Sequence, residues 1–258
     1  MTNEEFESES ITIGVLSLQG SYHEHLSHLE NLFKELVADP LYSRYNLQAK
    51  SVKTAEDLDQ VKALIIPGGE STTMSLLLQR NGLLNKLRVL VHNESFPCWG
   101  TCAGLILLAN EVINTQVELG EEKYRVIGGL NVQVERNTFG RQLDSFIADV
   151  KLDMDNWGHD LDGADFQCVF IRGPVIKKIL GEAEACEEHD VEGGVVRAVF
   201  SNCEYTKPEV LLKLKSGDGE RIVAVRQGNV LGTSFHPELV AGEYRLHKWF
   251  IDEFVLRQ

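Results

Sequence analysis

Phe96-Pro97-Cys98-Trp99-Gly100-Thr101-Cys102-Ala103-Gly104, running on into the apolar stretch Leu105 to Ala109, decides how this chain folds. A strand-like approach meets a Gly-x-Cys-x-Gly step, and a helix-like pattern follows. That is the arrangement of a nucleophile elbow with Cys in the place of Ser. The turn is sharp, and Gly100 and Gly104 lack the Cβ atoms that would keep strand and helix apart. Cys102 is expected at a helix N-terminus, where free N–H groups and the helix dipole lower a thiol's pKa. The Ala103 N–H is then placed to meet an oxyanion. The other reading of the same residues is a buried, inert Cys in a glycine turn.

Upstream, Ile11 to Leu18 reads as a buried strand ending in Leu18-Gln19-Gly20. Ser21 is expected to cap a helix reaching about Ala38, with Leu26, Leu29, Leu32, Phe33 and Leu36 on its inner face. His23, His25 and His28 are read as solvated. A metal-binding reading fails, because positions 23 and 25 diverge on a helix and the His-Glu-x-x-His pattern is absent. Leu47 to Val52 is a second strand, and Thr54 caps a short helix ending near Val61. Ala63 to Pro67 is a third strand, stopped by Gly68-Gly69-Glu70-Ser71-Thr72-Thr73. This loop lacks the Gly-Lys-Ser/Thr ending of a phosphate-binding loop. Two glycines at a strand's carboxyl end, before a Ser/Thr-rich helix start, mark instead a place where open α/β sheets bind small ligands. Strands alternating with helices imply parallel pairing and an α/β fold.

Downstream, Met74 to Leu78 and Leu83 to Val91 are expected to be helical. Val132 to Glu135, Ser145 to Leu152, Cys168 to Ile171, Arg221 to Arg226 and Val230 to Ser234 read as strands. Gln227-Gly228-Asn229 makes a tight hairpin between the last two. Residues 153–165 and 181–194 read as acidic, solvated insertions. The first carries five Asp without the EF-hand spacing that calcium would need. Gly242 to Leu256 closes the chain as an amphipathic helix.

Composition narrows the function classes. A net charge of −14 across 258 residues argues against nucleic acid or an anionic membrane as the main partner. Five Cys without framework spacing read as reduced thiols. The first ten residues are polar, with no apolar signal region, so the expected location is the cytoplasm. They are read as a flexible tail, residues 1–10, ahead of a single domain, residues 11–258.

Cys102 needs a base, and the base needs an orienting group. His236-Pro237-Glu238 offers both just beyond a strand end. A spacing of two keeps both side chains on one side of an extended segment. Pro67-Gly68-Gly69, Gly100-Thr101-Cys102-Ala103-Gly104 and Ser234-Phe235-His236-Pro237-Glu238 together resemble a class I, triad-type glutamine amidotransferase. Leu18-Gln19-Gly20, Gly68 to Thr73, Val134-Glu135-Arg136-Asn137, Phe139-Gly140-Arg141-Gln142, Asp144-Ser145-Phe146 and Ile171-Arg172 are similar to the glutaminase subunits of pyridoxal 5′-phosphate synthases. Chain length and the insertions near 39–47, 153–165 and 181–194 match the eukaryotic, fungal-type members. One departure is Arg172-Gly173-Pro174, where the family commonly reads Arg-Ala-Pro; it leaves the Arg and loosens the backbone.

The resemblance implies a three-layer α/β sandwich with a mostly parallel central sheet, the flavodoxin-like fold of class I glutamine amidotransferases. It implies that Cys102 attacks the side-chain amide of L-glutamine, His236 moves the proton and Glu238 orients His236. Gly69, Glu70 and Ser71 would line the glutamine pocket, with Arg136, Ile171 and Arg172 at the substrate's backbone end. Glu70 has a second reading, as the partner of the α-ammonium. The N–H groups of Gly69 and Ala103 would serve the oxyanion, and Gln19 and Gly20 would form a gating loop. No metal and no cofactor is implied. The implied partner is a ring-shaped synthase subunit that takes up the ammonia. Three other readings compete: a cysteine peptidase of the same superfamily, a non-enzymatic binding protein, and a glutaminase serving another synthase. Arg136 and Arg172, which would clamp a free amino acid, speak against the first. The intact Cys–His–Glu set speaks against the second, and residues 135–137 and 139–142 against the third.

Overall fold

Strand β1 (Glu9–Leu16) alternates its side chains between two cores: Ile11, Ile13 and Val15 enter one, and Leu16 enters the other. The same split runs through the neighbouring strands, as two-sided burial in a parallel sheet requires. A computed structural model describes residues 8–93, 95–115, 118–119, 121–136, 145–152, 157, 161, 165–181, 194–198, 207–216 and 219–257. After β1 come α1 (Tyr22–Leu36), β2 (Tyr45–Val52), α2 (Ala55–Leu58), β3 (Ala63–Ile66), α3 (Ser71–Arg80), α4 (Leu83–Val91), β4 (Cys98–Thr101) and α5 (Ala103–Leu108). Strands β5 (Ala109–Ile113), β6 (Glu118–Leu119), β7 (Glu122–Lys123), β8 (Leu130–Glu135), β9 (Phe146–Lys151), β10 (Asp165–Phe170), β11 (Val175–Ile179) and β12 (Val196–Arg197) follow. The chain ends with β13 (Glu209–Ser216), β14 (Gly219–Gln227), β15 (Val230–Thr233) and α6 (Arg245–Phe250).

The central sheet runs β12-β5-β8-β11-β14-β15-β4-β3-β1-β2, with β13 paired to β14. Strands β2, β1, β3, β4 and β15 are mutually parallel and form the half that carries the site. Beyond β15 the sheet continues through the antiparallel strands β14 and β11, and β8 and β5 pair in parallel. Helices α3, α4 and α5 cover one face, through Met74, Leu78, Leu84, Leu87 and Leu105. Helices α1 and α6 cover the other, through Leu29, Leu32, Leu246, Trp249 and Phe250. This is the three-layer α/β sandwich that the sequence implied.

Several local expectations need correction. His25 and His28 are buried, not solvated; only His23 is exposed. They share the inner face of α1 with Leu29, Leu32 and Leu36, which lie at helical spacing from His25. Ser21 makes no side-chain cap on α1. Thr54 does cap α2, in a capping box with Asp57. Residues 153–165 are not uniformly solvated. Trp157 and Leu161 are each 1% exposed within the second core, and the Trp157 indole N–H donates to the Leu211 carbonyl at 2.9 Å. The closing helix starts at Arg245, not Gly242, and widens into a π-turn over Ile251–Val255. That turn keeps Ile251 and Phe254 buried alongside Trp249 and Phe250. The Phe139-Gly140-Arg141-Gln142 motif and the stretch 182–193 lie outside the described residues. Among the described residues, no helix is long and apolar enough to cross a membrane.

Candidate active site

The parallel order β1-β3-β4-β15 brings the carboxyl ends of four strands together, so the segments that follow them meet. At the end of β4, Cys102 adopts φ 47° and ψ −102°. Its N–H donates to the Thr233 carbonyl of β15 at 2.8 Å. Helix α5 starts at the next residue and presses onto β3. A Cβ at Gly104 would stand 2.0 Å from the Ile66 carbonyl oxygen, so only glycine permits that contact. The expected elbow is therefore present, with its sulfur just inside the surface.

His236 follows β15, and its N–H donates to the Val169 carbonyl at 2.8 Å. Pro237–Leu239 form a 3₁₀ turn rather than an extended segment. The turn brings the Glu238 carboxylate back beneath the ring, with Nδ1 and Oε1 2.7 Å apart. A carboxylate accepts, so Nδ1 carries the proton. His236 and the Cys102 thiol line the same cleft and interact there. Burial works against an imidazolium here, but the Cys102 thiolate beside it and Glu238 behind it lift His236 to about 10. Burial likewise opposes the Glu238 carboxylate, yet His25, His236 and Ser21 hold it at about 2. The arrangement favours an imidazolium on His236 backed by the fixed anion of Glu238.

Ser21 explains its absence from the helix cap: its hydroxyl donates to Glu238 Oε1 at 2.6 Å. The double-glycine loop passes directly over the imidazole, where a Cβ at Gly68 would stand 2.2 Å from His236 Cε1. Gln19 joins this loop, its side-chain oxygen accepting the Glu70 N–H at 2.8 Å. The Gln19–Gly20 turn thus packs on the loop that borders the thiol.

An open cleft of about 560 Å³ gathers Gly69, Glu70, Ser71, Cys102, Arg136, Ile171, Arg172 and His236. Ile106 and Ser145 also line it, and the sequence reading assigned neither. Ala103 sits one residue past the thiol at the start of α5. The two arginines differ in their freedom. The Arg136 guanidinium is engaged by Thr115 Oγ1 at 2.5 Å, Thr72 Oγ1 at 2.9 Å and Glu70 Oε1 at 3.3 Å, and it lies over the Tyr124 ring. Arg172 is exposed and has no partner among the described residues. Its backbone has φ 46°, so the left-handed residue is Arg172 and not the neighbouring Gly173. Glu70 caps α3, accepting the N–H groups of Thr72 at 3.0 Å and Thr73 at 2.6 Å. It is partly desolvated, which opposes its charge, but those two N–H groups keep its pKa low.

The sequence reading missed Ser21, Thr101, His25 and His247, which stand behind Glu238. Two of them carried a local signal: Ser21, at a helix start, and His25, by its spacing from Leu29, Leu32 and Leu36.

The SNO glutamine amidotransferase family matches this chain over residues 15–207 and 203–256. The pyridoxal 5′-phosphate synthase subunit SNO1 of Saccharomyces cerevisiae is 42% identical over 94% of this chain and 92% of its own length. The probable pyridoxal 5′-phosphate synthase subunit PDX2 of Arabidopsis thaliana is 38% identical, covering 93% of this chain and 85% of that protein. A solved structure described as a glutamine amidotransferase superposes with a TM-score of 0.65 at 37% identity, covering 93% of this chain and 97% of the other.

Proposed function

The chain belongs to the SNO glutamine amidotransferase family, and on that premise we propose that it hydrolyses L-glutamine at Cys102 and passes the ammonia to a pyridoxal 5′-phosphate synthase partner. The observation that carries the reading is the His236–Glu238 pair beside the Cys102 thiol, in the same cleft as Arg172. The thiolate attacks the side-chain amide carbon, and the oxyanion that forms is met by the N–H groups of Gly69 and Ala103. His236 gives its proton to the departing nitrogen, which leaves as ammonia. A water molecule, deprotonated by His236, then cleaves the thioester and releases L-glutamate. Glu238 stays ionised throughout and holds the ring.

Arg172 is free to take the substrate's α-carboxylate through two parallel hydrogen bonds. Arg136 and Ile171 form the wall beside it. Glu70 and Ser71 complete the pocket, with Glu70 held rigid by its helix. The chain works as one amidotransferase domain over residues 11–258, in the cytoplasm, with a ring-shaped synthase as its partner. The Gln19–Gly20 turn is the gate: docking of the synthase reorients its backbone and completes the oxyanion site. One added donor there is worth about a hundredfold in rate or more. The test measures ammonia release by the purified chain with and without the cognate synthase subunit. Activation of that order supports the gate. Equal rates at saturating glutamine would remove the gate, and no release in either case would remove the glutaminase reading.

A further inference from the structure

Behind the triad lie buried imidazoles that the hydrolysis does not use. His25 of α1 and His247 of α6 are both fully buried. His25 Nε2 lies 3.2 Å from Thr101 Oγ1 and 3.3 Å from Glu238 Oε2, and its Nδ1 lies 2.9 Å from His247 Nε2. Glu238 Oε1 already accepts from Ser21 and His236. No hydrogen bond reaches Oε2 in line among the described residues, so the His25 edge is the polar contact that faces it. Resting on the triad reading above, we propose that His25 is a positioning residue: its Nε2–H, directed at Thr101 Oγ1, presents its dipole to the outer oxygen of Glu238 3.3 Å away and so steadies that carboxylate, and through it the ring of His236, while His247 fixes its tautomer.

The argument is one of proton placement. A neutral imidazole carries one N–H. Nε2 meets Thr101 Oγ1, a hydroxyl that serves as donor or acceptor, so the Glu238 oxygen 3.3 Å away decides: a proton on Nε2 is favoured beside an anion over a lone pair. His25 Nδ1 is then an acceptor, and the donor to it is His247 Nε2–H. That leaves His247 Nδ1 as a bare lone pair, and this atom has no hydrogen-bond partner among the described residues. The groups whose charge bears on His25 are Glu238 and Glu24, which favour protonation, and His236 and His28, which oppose it. Burial outweighs them and holds His25 at about 4, so it donates while remaining neutral. Trp99 packs edge-on against the rings of His25 and His247 at centroid distances of 5.7 Å and 5.0 Å and confines both. Without His25, one oxygen of a 3% exposed Glu238 loses its facing dipole, and the carboxylate is free to turn away from His236.

The test reads the thiol, not the turnover. Alkylation of Cys102 by iodoacetamide is followed against pH in the full chain, using mass spectrometry of the Cys102 peptide. Wild type is compared with His25→Asn and His25→Gln. The Gln amide N–H reaches about the position of Nε2, whereas that of Asn stops near Nδ1. The expected result for His25→Asn is about a tenfold loss of alkylation rate at neutral pH. His25→Gln is expected to recover most of the rate. A wild-type profile in His25→Asn, or equal losses in both variants, overturns the proposal. A second measurement needs only a correctly folded wild type: nitrogen-15 NMR of the histidine rings should find His25 protonated on Nε2, and the opposite tautomer overturns the proposal as well. Glutamine turnover enters neither measurement. Failure of the glutaminase reading would show separately, as absent ammonia release from a wild-type chain with an intact Cys102 profile.

Discussion

Cys102 occupies a backbone conformation, φ 47° and ψ −102°, that costs a non-glycine residue roughly 1–3 kcal/mol. It persists because the Thr233 carbonyl holds its N–H and α5 is locked against β3 on the next turn. The strained turn places Cys102 in the cleft that His236 also lines. Cys102→Ala should therefore abolish glutamine hydrolysis by orders of magnitude while keeping the fold, because alanine preserves the strained backbone. Cys102→Gly should be equally inactive but melt at a higher temperature than the alanine variant, since glycine accepts a positive φ without penalty. Ammonia release and thermal melts check both parts. Near-normal ammonia release from either variant would rule out Cys102 as the nucleophile. The elbow was legible at this scale because its requirements are local: small neighbours, a turn and a following helix. The left-handed Arg172 was not legible, because the adjacent Gly173 is the residue that intrinsic preference would choose.

Two helix starts show how one residue type does different work in different elements. Thr54 spends its hydroxyl on the first turn of α2, accepting the Asp57 N–H. Ser21 stands at the same kind of position before α1 yet donates to Glu238 Oε1 at 2.6 Å, leaving the helix start without a side-chain cap. The contrast gives a paired prediction. Thr54→Ala should cost about 1 kcal/mol of stability and leave kcat unchanged. Ser21→Ala should lower the urea midpoint as well, because it removes a hydrogen bond to a buried charge, and unlike Thr54→Ala it should also lower kcat about tenfold. Urea titration and steady-state ammonia release on both variants decide it, and an unchanged kcat in Ser21→Ala would sink the distinction. Both residues carried the same N-cap signal in the sequence. Thr54 finds its carboxylate, Asp57, within its own helix turn, whereas Ser21 finds that of Glu238, which the sheet brings alongside from 217 residues away.

Across the whole molecule, burying neutral histidines ties stability to pH. The folded pKa of His25, about 4, lies below its ordinary 6.5, and that of His247 is lowered as well, both mainly by burial. The unfolded chain therefore binds protons first as pH falls, and stability present above about 6.5 is lost on the way down to about 4. The slope is roughly 1.4 kcal/mol per pH unit for each such histidine. Glu238, held at about 2, continues the loss below about 4.5. Urea midpoints should fall between pH 7 and pH 5, and His25→Gln should flatten that fall. A midpoint that stays constant over this range would contradict the buried-neutral assignment. Strands β1 to β4, β8 to β10, β14 and β15, the glycines at strand ends and the positions of Cys102, His236 and Glu238 were readable from the sequence by itself, whereas β5, β11 and β13 were not. What was readable is set by chain-local chemistry: side-chain period, chain flexibility and close steric approach. The tertiary structure alone decided that Ser21 serves Glu238 across 217 residues and that His25 meets His247 across 222. It alone tied Arg136 to Thr115, Thr72 and Glu70 while leaving Arg172 without a partner among the described residues, and it alone buried Trp157 within an acidic stretch. The reason is that a polar side chain takes whichever partner desolvation leaves beside it, and that partner is fixed by the order of strands in the sheet, which no local pattern of residues encodes.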